Sequence, residues 1–85
     1  MDLRQQVRDF ITTTFYVPDP RALADDASLL EAGLIDSTGL LEVIGFIETQ
    51  LGVSLNNGEI VPDNLDSIDR IVGFVLRKTG AHAGV

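Results

Sequence analysis

Asp36-Ser37 is the pair in this 85-residue chain with the most room for chemistry. Its serine hydroxyl stands where a long loop-like stretch meets the most strongly helical segment. The first N–H groups of a helix have no intrahelical partner, and the dipole is positive at that end. A phosphate ester on Ser37 would therefore be stabilised there, with the dipole contributing about 0.3–1 kcal/mol. The simpler role is capping, in which Asp36 or Ser37 accepts a helix N–H, worth about 1 kcal/mol. Autonomous catalysis fails at the neighbouring positions. A nucleophile elbow needs Gly-x-Ser-x-Gly, but Ile35 stands at the first glycine position and no histidine is placed to act as base. An aspartic-protease-like site would want glycine directly after Asp36-Ser37, and Thr38 is there. Asp63-Asn64-Leu65-Asp66 fails as a calcium loop, with leucine where an oxygen ligand belongs and no glycine at the turn.

The elements that must hold this pair follow from periodicity. Leu3, Val7, Phe10, Ile11 and Phe15 recur at helical spacing, which predicts a first amphipathic helix over residues 2–15. Asp2 caps it, with Gln5 completing a capping-box-like pair. Thr12-Thr13-Thr14 weakens its end, and Pro18 and Pro20 forbid continuation. Tyr16 to about Asp36 is then a long loop, pinned to the core by Leu23, Leu29, Leu30, Leu34 and Ile35. Residues 37–51 give the clearest helix. With Ser37 at zero, Leu40, Val43, Ile44, Ile47 and Leu51 fall between about 240° and 340° on a wheel of 100° per residue. Gly52 stops it. Asn56-Asn57-Gly58-Glu59 and Ile60-Val61-Pro62 predict a capped short turn of helix halted by Pro62. Asp63 or Asp66 starts a last helix through Ile68, Ile71, Val72, Val75 and Leu76. It ends in Arg77-Lys78 before Gly80, the charge that the dipole favours at that end. The expectation is all-α: a small four-helix bundle of three longer helices and one short one, spanning residues 1–79. Residues 80–85 form a flexible tail.

Composition removes several function classes. Six Lys and Arg against thirteen Asp and Glu leave a net charge of −7. That sign repels nucleic acid and anionic lipid and favours partners with basic patches. With no cysteine there is no disulfide, thiol nucleophile or thiolate metal site. The single histidine, His82, lies in the Gly/Ala tail, so neither a His-based triad nor a metal site is expected. No apolar run reaches the ~20 residues of a membrane span. Met1-Asp2-Leu3-Arg4 lacks a signal-peptide pattern, and Asp2 excludes N-myristoylation. A cytoplasmic monomer is expected. If chemistry happens here, its reactive groups come from elsewhere.

One family unites these features. Gly33-x-x-Asp36-Ser37 at the head of the second helix, Glu42 and Glu48 along it, Gly52-Val53-Ser54-Leu55, a short element and a last apolar helix resemble an acyl carrier protein or peptidyl carrier domain. The resemblance covers about residues 2–78, and its core is the Asp36-Ser37 pair. It implies a four-helix acyl-carrier-like fold and a 4'-phosphopantetheine arm on Ser37. A phosphopantetheinyl transferase would attach the arm from coenzyme A, and Asp36 would assist the transferase and its magnesium. The thiol of the arm would hold an acyl or aminoacyl group as a thioester, supplying the sulfur that the sequence lacks. The chain would then be no enzyme but a substrate of others: a loading acyl- or aminoacyl-adenylating ligase and downstream acyl-processing enzymes.

The departures from the family pattern concern subtype. Thr38 stands where fatty-acid carriers often have Leu or Met, Gly39 and Thr49-Gln50 replace acidic residues, and Gly45 removes an apolar contact. Together with Glu31-Ala32-Gly33 and Ile60-Val61-Pro62 these resemble stand-alone carriers of secondary metabolism. Fatty, aromatic and amino-acid cargo all remain open. In the family the second helix recognises partners, so Thr38, Leu41, Glu42 and Glu48 are the candidate contacts. On the wheel Leu41 and Glu48 lie beside Ser37, outside the apolar stripe; alternatively Leu41 packs under the Tyr16–Asp36 loop and Glu48 is a solvated charge. Phe46 falls away from the stripe and is expected against the loop or short helix. The competing reading, from another class, is a small acidic helical adaptor with no cofactor.

Overall fold

In the computed structural model, which describes residues 2–80, four α-helices and two single 3₁₀ turns form a helical bundle with no strand among the described residues. Helix α1 spans Leu3–Thr14, α2 Ser37–Gln50, α3 Pro62–Leu65 and α4 Ile68–Thr79. The 3₁₀ turns are Pro20–Ala22, in the long loop, and Asn57–Glu59, before α3. Three longer helices and one short one match the sequence expectation. His82 and most of the expected tail, residues 81–85, lie outside the described residues. Gly80 belongs to the fold as the C-cap of α4, its N–H bonded to the Leu76 carbonyl at 2.9 Å.

Each helix buries one stripe. Val7 and Ile11 of α1, Val43 and Ile47 of α2, and Ile68, Ile71, Phe74 and Val75 of α4 meet Leu65 and Val53 in one core. The loop contributes Leu23, Leu29 and Ile35 to the same core, with Leu34 partly buried. Leu30 does not follow. It is 36% exposed, because the turn at residues 30–33 carries it outward. Gly33 makes that turn at φ 73°, a left-handed conformation that other residues adopt at a cost. Gly52, at φ 68°, ends α2 as expected.

Capping corrects three expectations. Asp2 does cap α1, accepting the Gln5 N–H at 2.9 Å, but the Gln5 amide donates to Asp9 at 2.7 Å and forms no reciprocal box. The reciprocal box occurs at Asn56 and Glu59. Pro62 does not merely halt the short turn; it opens α3, since its missing N–H and fixed φ suit the first helical position. Neither Asp63 nor Asp66 starts the last helix. Ser67 caps α4 by accepting the Arg70 N–H at 3.0 Å.

Asp66 turns inward instead. It is 8% exposed and accepts hydrogen bonds from the Ser28 hydroxyl and from the Leu30 N–H, the latter at 2.8 Å. Its backbone carbonyl accepts the Leu29 N–H, also at 2.8 Å. A corner between α3 and α4 thus fixes the middle of the long loop. Farther upstream, Arg8 of α1 donates to the Leu23 carbonyl at 2.6 Å, to the Pro20 carbonyl at 3.1 Å and to the Asp25 carboxylate at 2.5 Å. Arg4 bridges Asp25 and Asp69, joining α1 and α4 across the same loop.

This network sets a pH dependence. The hydrogen bond from Arg8, reinforced by the charges of Arg8 and Arg4, holds the Asp25 carboxyl below its ordinary range against an opposing effect of partial burial. A group depressed in the folded state stabilises above its unfolded value, and the contribution disappears as pH falls through the folded value. The urea midpoint of the wild type is therefore expected to drop further than that of Asp25→Asn as pH falls below about 4. Parallel curves for the two proteins would remove Asp25 from the account.

Candidate functional site

The site begins with a contrast between two identical dipeptides. Asp36-Ser37 and Asp66-Ser67 both stand at helix N-termini, yet their side chains divide the work oppositely. At the second pair the serine caps, the aspartate is buried, and Ser67 is 2% exposed. At the first pair the aspartate caps: Asp36 accepts the Gly39 N–H at 2.8 Å from an extended backbone, φ −125° and ψ −166°. Ser37 becomes the first residue of α2 and is exposed. Among the described residues its hydroxyl has no hydrogen-bond partner. The serine of one pair is consumed by structure, and the other is left free.

The base of Ser37 is nevertheless anchored. Ile35, two residues before it, is 6% exposed, and Gly39, two residues after it, is buried. The Cβ that any other residue would bring to position 39 would lie 3.0 Å from the ring of Phe15 and 3.1 Å from the Ile35 Cβ. Glycine lets α1 and the incoming loop approach α2 this closely, and any side chain here would require its neighbours to give by a few tenths of an ångström. The buried face of α2 is accordingly turned from the predicted stripe. Gly39, Val43 and Ile47 define it, whereas Leu40, Ile44 and Leu51 are only partly buried. Apolar periodicity alone gives no weight to a glycine, so this rotation escapes the sequence reading.

The remaining candidates separate onto two sides of α2. Leu41 is 67% exposed, so the alternative in which it packs under the loop is overturned. Leu41, Thr38 and Glu42 line a groove of about 910 Å³ between α1 and α2. Glu48 is exposed but does not line that groove; it reaches the Leu55 N–H, at 3.5 Å, beyond the C-terminal end of α2. Phe46, expected against the loop or the short helix, finds its ring partner on α1. Its ring stacks on Phe10 of α1 with centroids 4.2 Å apart and planes 13° from parallel, and Phe10 meets Phe15 edge-on at 5.9 Å. Phe74 and Val75 of α4 are buried in the core, whereas Phe10 and Phe15 are half-buried. No helix of the described residues is long and apolar enough to cross a membrane.

Sequence reasoning missed the residues that hold the site rather than those that form it. Asp66, Arg8 and Arg4 act across 12 to 65 residues of sequence. The one local signal was Ser67 with Asp69 two residues on, a better N-cap arrangement for α4 than Asp63 or Asp66. No family model matches the sequence, and no curated protein matches it. Fold and site therefore define the class by geometry alone: a small acidic four-helix bundle presenting a free serine at the head of its second helix.

Proposed function

We propose that this protein is a carrier, with Ser37 as the attachment point for a 4'-phosphopantetheine arm. One observation carries the reading: the Ser37 hydroxyl is exposed and unengaged at a helix N-terminus, while Ser67, in the same local sequence, is buried and bonded. The arm would come from coenzyme A. The Ser37 oxygen attacks the phosphorus that bears the pantetheine, adenosine bisphosphate leaves, and the hydroxyl proton passes to a base of the transferase. The bound arm supplies a thiol that holds an acyl or aminoacyl group as a thioester.

The residues of the chain do the positioning. Asp36 fixes the first turn of α2 through its bond to the Gly39 N–H, leaving its second carboxylate oxygen outside that bond for the transferase and its magnesium. The open N–H groups of that turn favour the phosphodiester charge. Ile35 and Gly39 keep the attachment point still while the arm swings, and tethering raises the effective concentration of cargo at each partner. The partners are a phosphopantetheinyl transferase, an acyl- or aminoacyl-adenylating ligase and downstream acyl-processing enzymes, in secondary metabolism in the cytoplasm. The protein is then a substrate of these enzymes and not a catalyst.

Intact mass after incubation with coenzyme A, magnesium and a promiscuous phosphopantetheinyl transferase tests this. The wild type is expected to gain one arm, with peptide mapping placing it on Ser37. Ser37→Ala, with an unchanged helical circular dichroism spectrum, gains none. A folded wild type that stays unmodified overturns the carrier reading in favour of a cofactor-free adaptor, for which the exposed Leu41 is the observation in favour.

A further inference from the structure

Asparagine occurs at positions 56, 57 and 64, and its surroundings set one of the three apart. Asn64 is held at both ends of its amide: Nδ2 donates to the Glu59 carbonyl at 2.9 Å, and Oδ1 accepts from Arg77 at 3.1 Å. The side-chain oxygen of Asn56 accepts the Glu59 N–H at 3.1 Å. Leu65 and Asn57 follow these two, and each brings a side chain beside the next peptide nitrogen. Asn57 is exposed, and its carboxamide has no hydrogen-bond partner among the described residues. Gly58 follows it, also exposed, with no Cβ and no acceptor for its N–H among the described residues. A free carboxamide and an unhindered nitrogen are therefore neighbours.

Those are the two groups that form a succinimide, the reaction that makes asparagine thermolabile. The Gly58 nitrogen attacks the side-chain carbonyl carbon of Asn57, its proton passes to water or hydroxide, and ammonia leaves. Water then opens the ring at either of two C–N bonds. Cleavage at the side-chain carbonyl gives aspartate at position 57. Cleavage at the main-chain carbonyl gives isoaspartate, with the main chain rerouted through the side chain. The net change consumes water, releases ammonia and involves no oxidation. Closing the ring turns the peptide between Asn57 and Gly58 out of its 3₁₀ setting. The turn is three residues long and is closed by two backbone bonds, Glu59 N–H to the Asn56 carbonyl at 3.0 Å and Ile60 N–H to the Asn57 carbonyl at 3.3 Å. An exposed single turn of this kind opens at little cost.

We propose that Asn57 is a spontaneous modification site, converted through a succinimide closed by Gly58, and that its isoaspartate product releases the clasp between this turn and α4. The clasp is Glu59, whose two carboxylate oxygens each accept from Lys78 at 2.9 Å, together with Asn64, which joins the Glu59 carbonyl to Arg77. Isoaspartate adds a carbon to the main chain and moves the carbonyl that Ile60 uses, so Glu59 is carried away from Lys78. The aspartate product keeps the main chain and the turn. Either product adds one negative charge to a chain that already carries −7. Nothing in this chemistry involves Ser37, so it stands apart from the carrier reading.

The test incubates the folded wild type, Gly58→Ala and Asn56→Ala at mildly alkaline pH, with the wild type in urea as the unfolded reference. Peptide mapping locates the conversion, and an isoaspartyl carboxyl methyltransferase counts the isoaspartate. Conversion is expected at Asn57 and at neither Asn56 nor Asn64, at a rate within about tenfold of the unfolded chain. Gly58→Ala, whose Cβ meets Asn56 Oδ1 at an ordinary 3.5 Å, is expected to react about tenfold more slowly, because that carbon crowds the nitrogen and stiffens the backbone. Asn56→Ala removes the capping box across the turn and is expected to react faster than wild type. In the isoaspartate fraction, hydrogen exchange at Glu59 and Ile60 is expected to accelerate, whereas Asn57→Asp exchanges as wild type does. A folded wild type left intact while the unfolded chain converts, earlier conversion at Asn64, or equal rates with Gly58→Ala would each overturn the site. Unchanged exchange in the isoaspartate fraction would overturn the release of the clasp.

Discussion

Asp66→Ala is expected to destabilise the protein by about 2–3 kcal/mol, because a buried, multiply bonded carboxylate disappears and its donors stay behind. The Ser28 hydroxyl and the Leu30 N–H both lose their acceptor, in a corner where Asp66 is only 8% exposed. Asp66→Asn keeps one carbonyl oxygen for the Leu30 N–H and should lose less. The Leu29 N–H bonds the backbone carbonyl of residue 66 and is retained in either variant. The effect therefore has a signature beyond the urea midpoint. Hydrogen exchange at Leu30 should accelerate more than at Leu29. Equal stability of Asp66→Ala and wild type would show that water replaces the carboxylate at no cost, and the loop would need another anchor.

Gly39→Leu is the second large effect, and it is expected to cost about 1–3 kcal/mol through overpacking. The first added carbon already meets Phe15 at 3.0 Å and Ile35 at 3.1 Å, and Asp36 Oδ1 lies at 3.5 Å. Three further carbons have to move a ring, a β-branched side chain or the capping carboxylate itself. Gly39→Ala separates the contributions. Alanine is favoured over glycine inside a helix by about 1 kcal/mol, and this opposes the tight contact of a single methyl. The alanine variant is expected near wild type and the leucine variant well below it in urea denaturation. If both were equally stable, the close approach of α1, loop and α2 at this point would not be required by the fold.

These two positions mark where sequence reading stops. Helix α2 was legible because Val43 and Ile47 recur at helical spacing behind Asp36, an obvious cap, and before Gly52, an obvious stop. The same reading turned the helix face slightly wrong, because Gly39 contributes to packing by what it lacks. Asp66 looked like a cap for α4 since carboxylates before apolar runs generally are. Its actual partners, Ser28 and Leu30, lie 38 and 36 residues away. Phe46 is similar: a wheel shows that it leaves the stripe but not that Phe10, on another helix, is there to receive it. Periodicity reports which residues share a face. It does not report which face of another element is opposite.

The spacing of the loop anchors has an evolutionary consequence. Leu23, Leu29 and Ile35 enter the core at six-residue intervals, and each interval between them carries exposed positions, notably residues 30–33 just ahead of the serine. Stability and surface identity are thus written in different letters of the same segment. Substitutions in the exposed letters can rewrite what a visiting protein meets beside Ser37 while the three anchors keep that serine where it is. A lineage could diversify its recognition surface here without passing through unstable intermediates, provided that the glycine at the turn is retained.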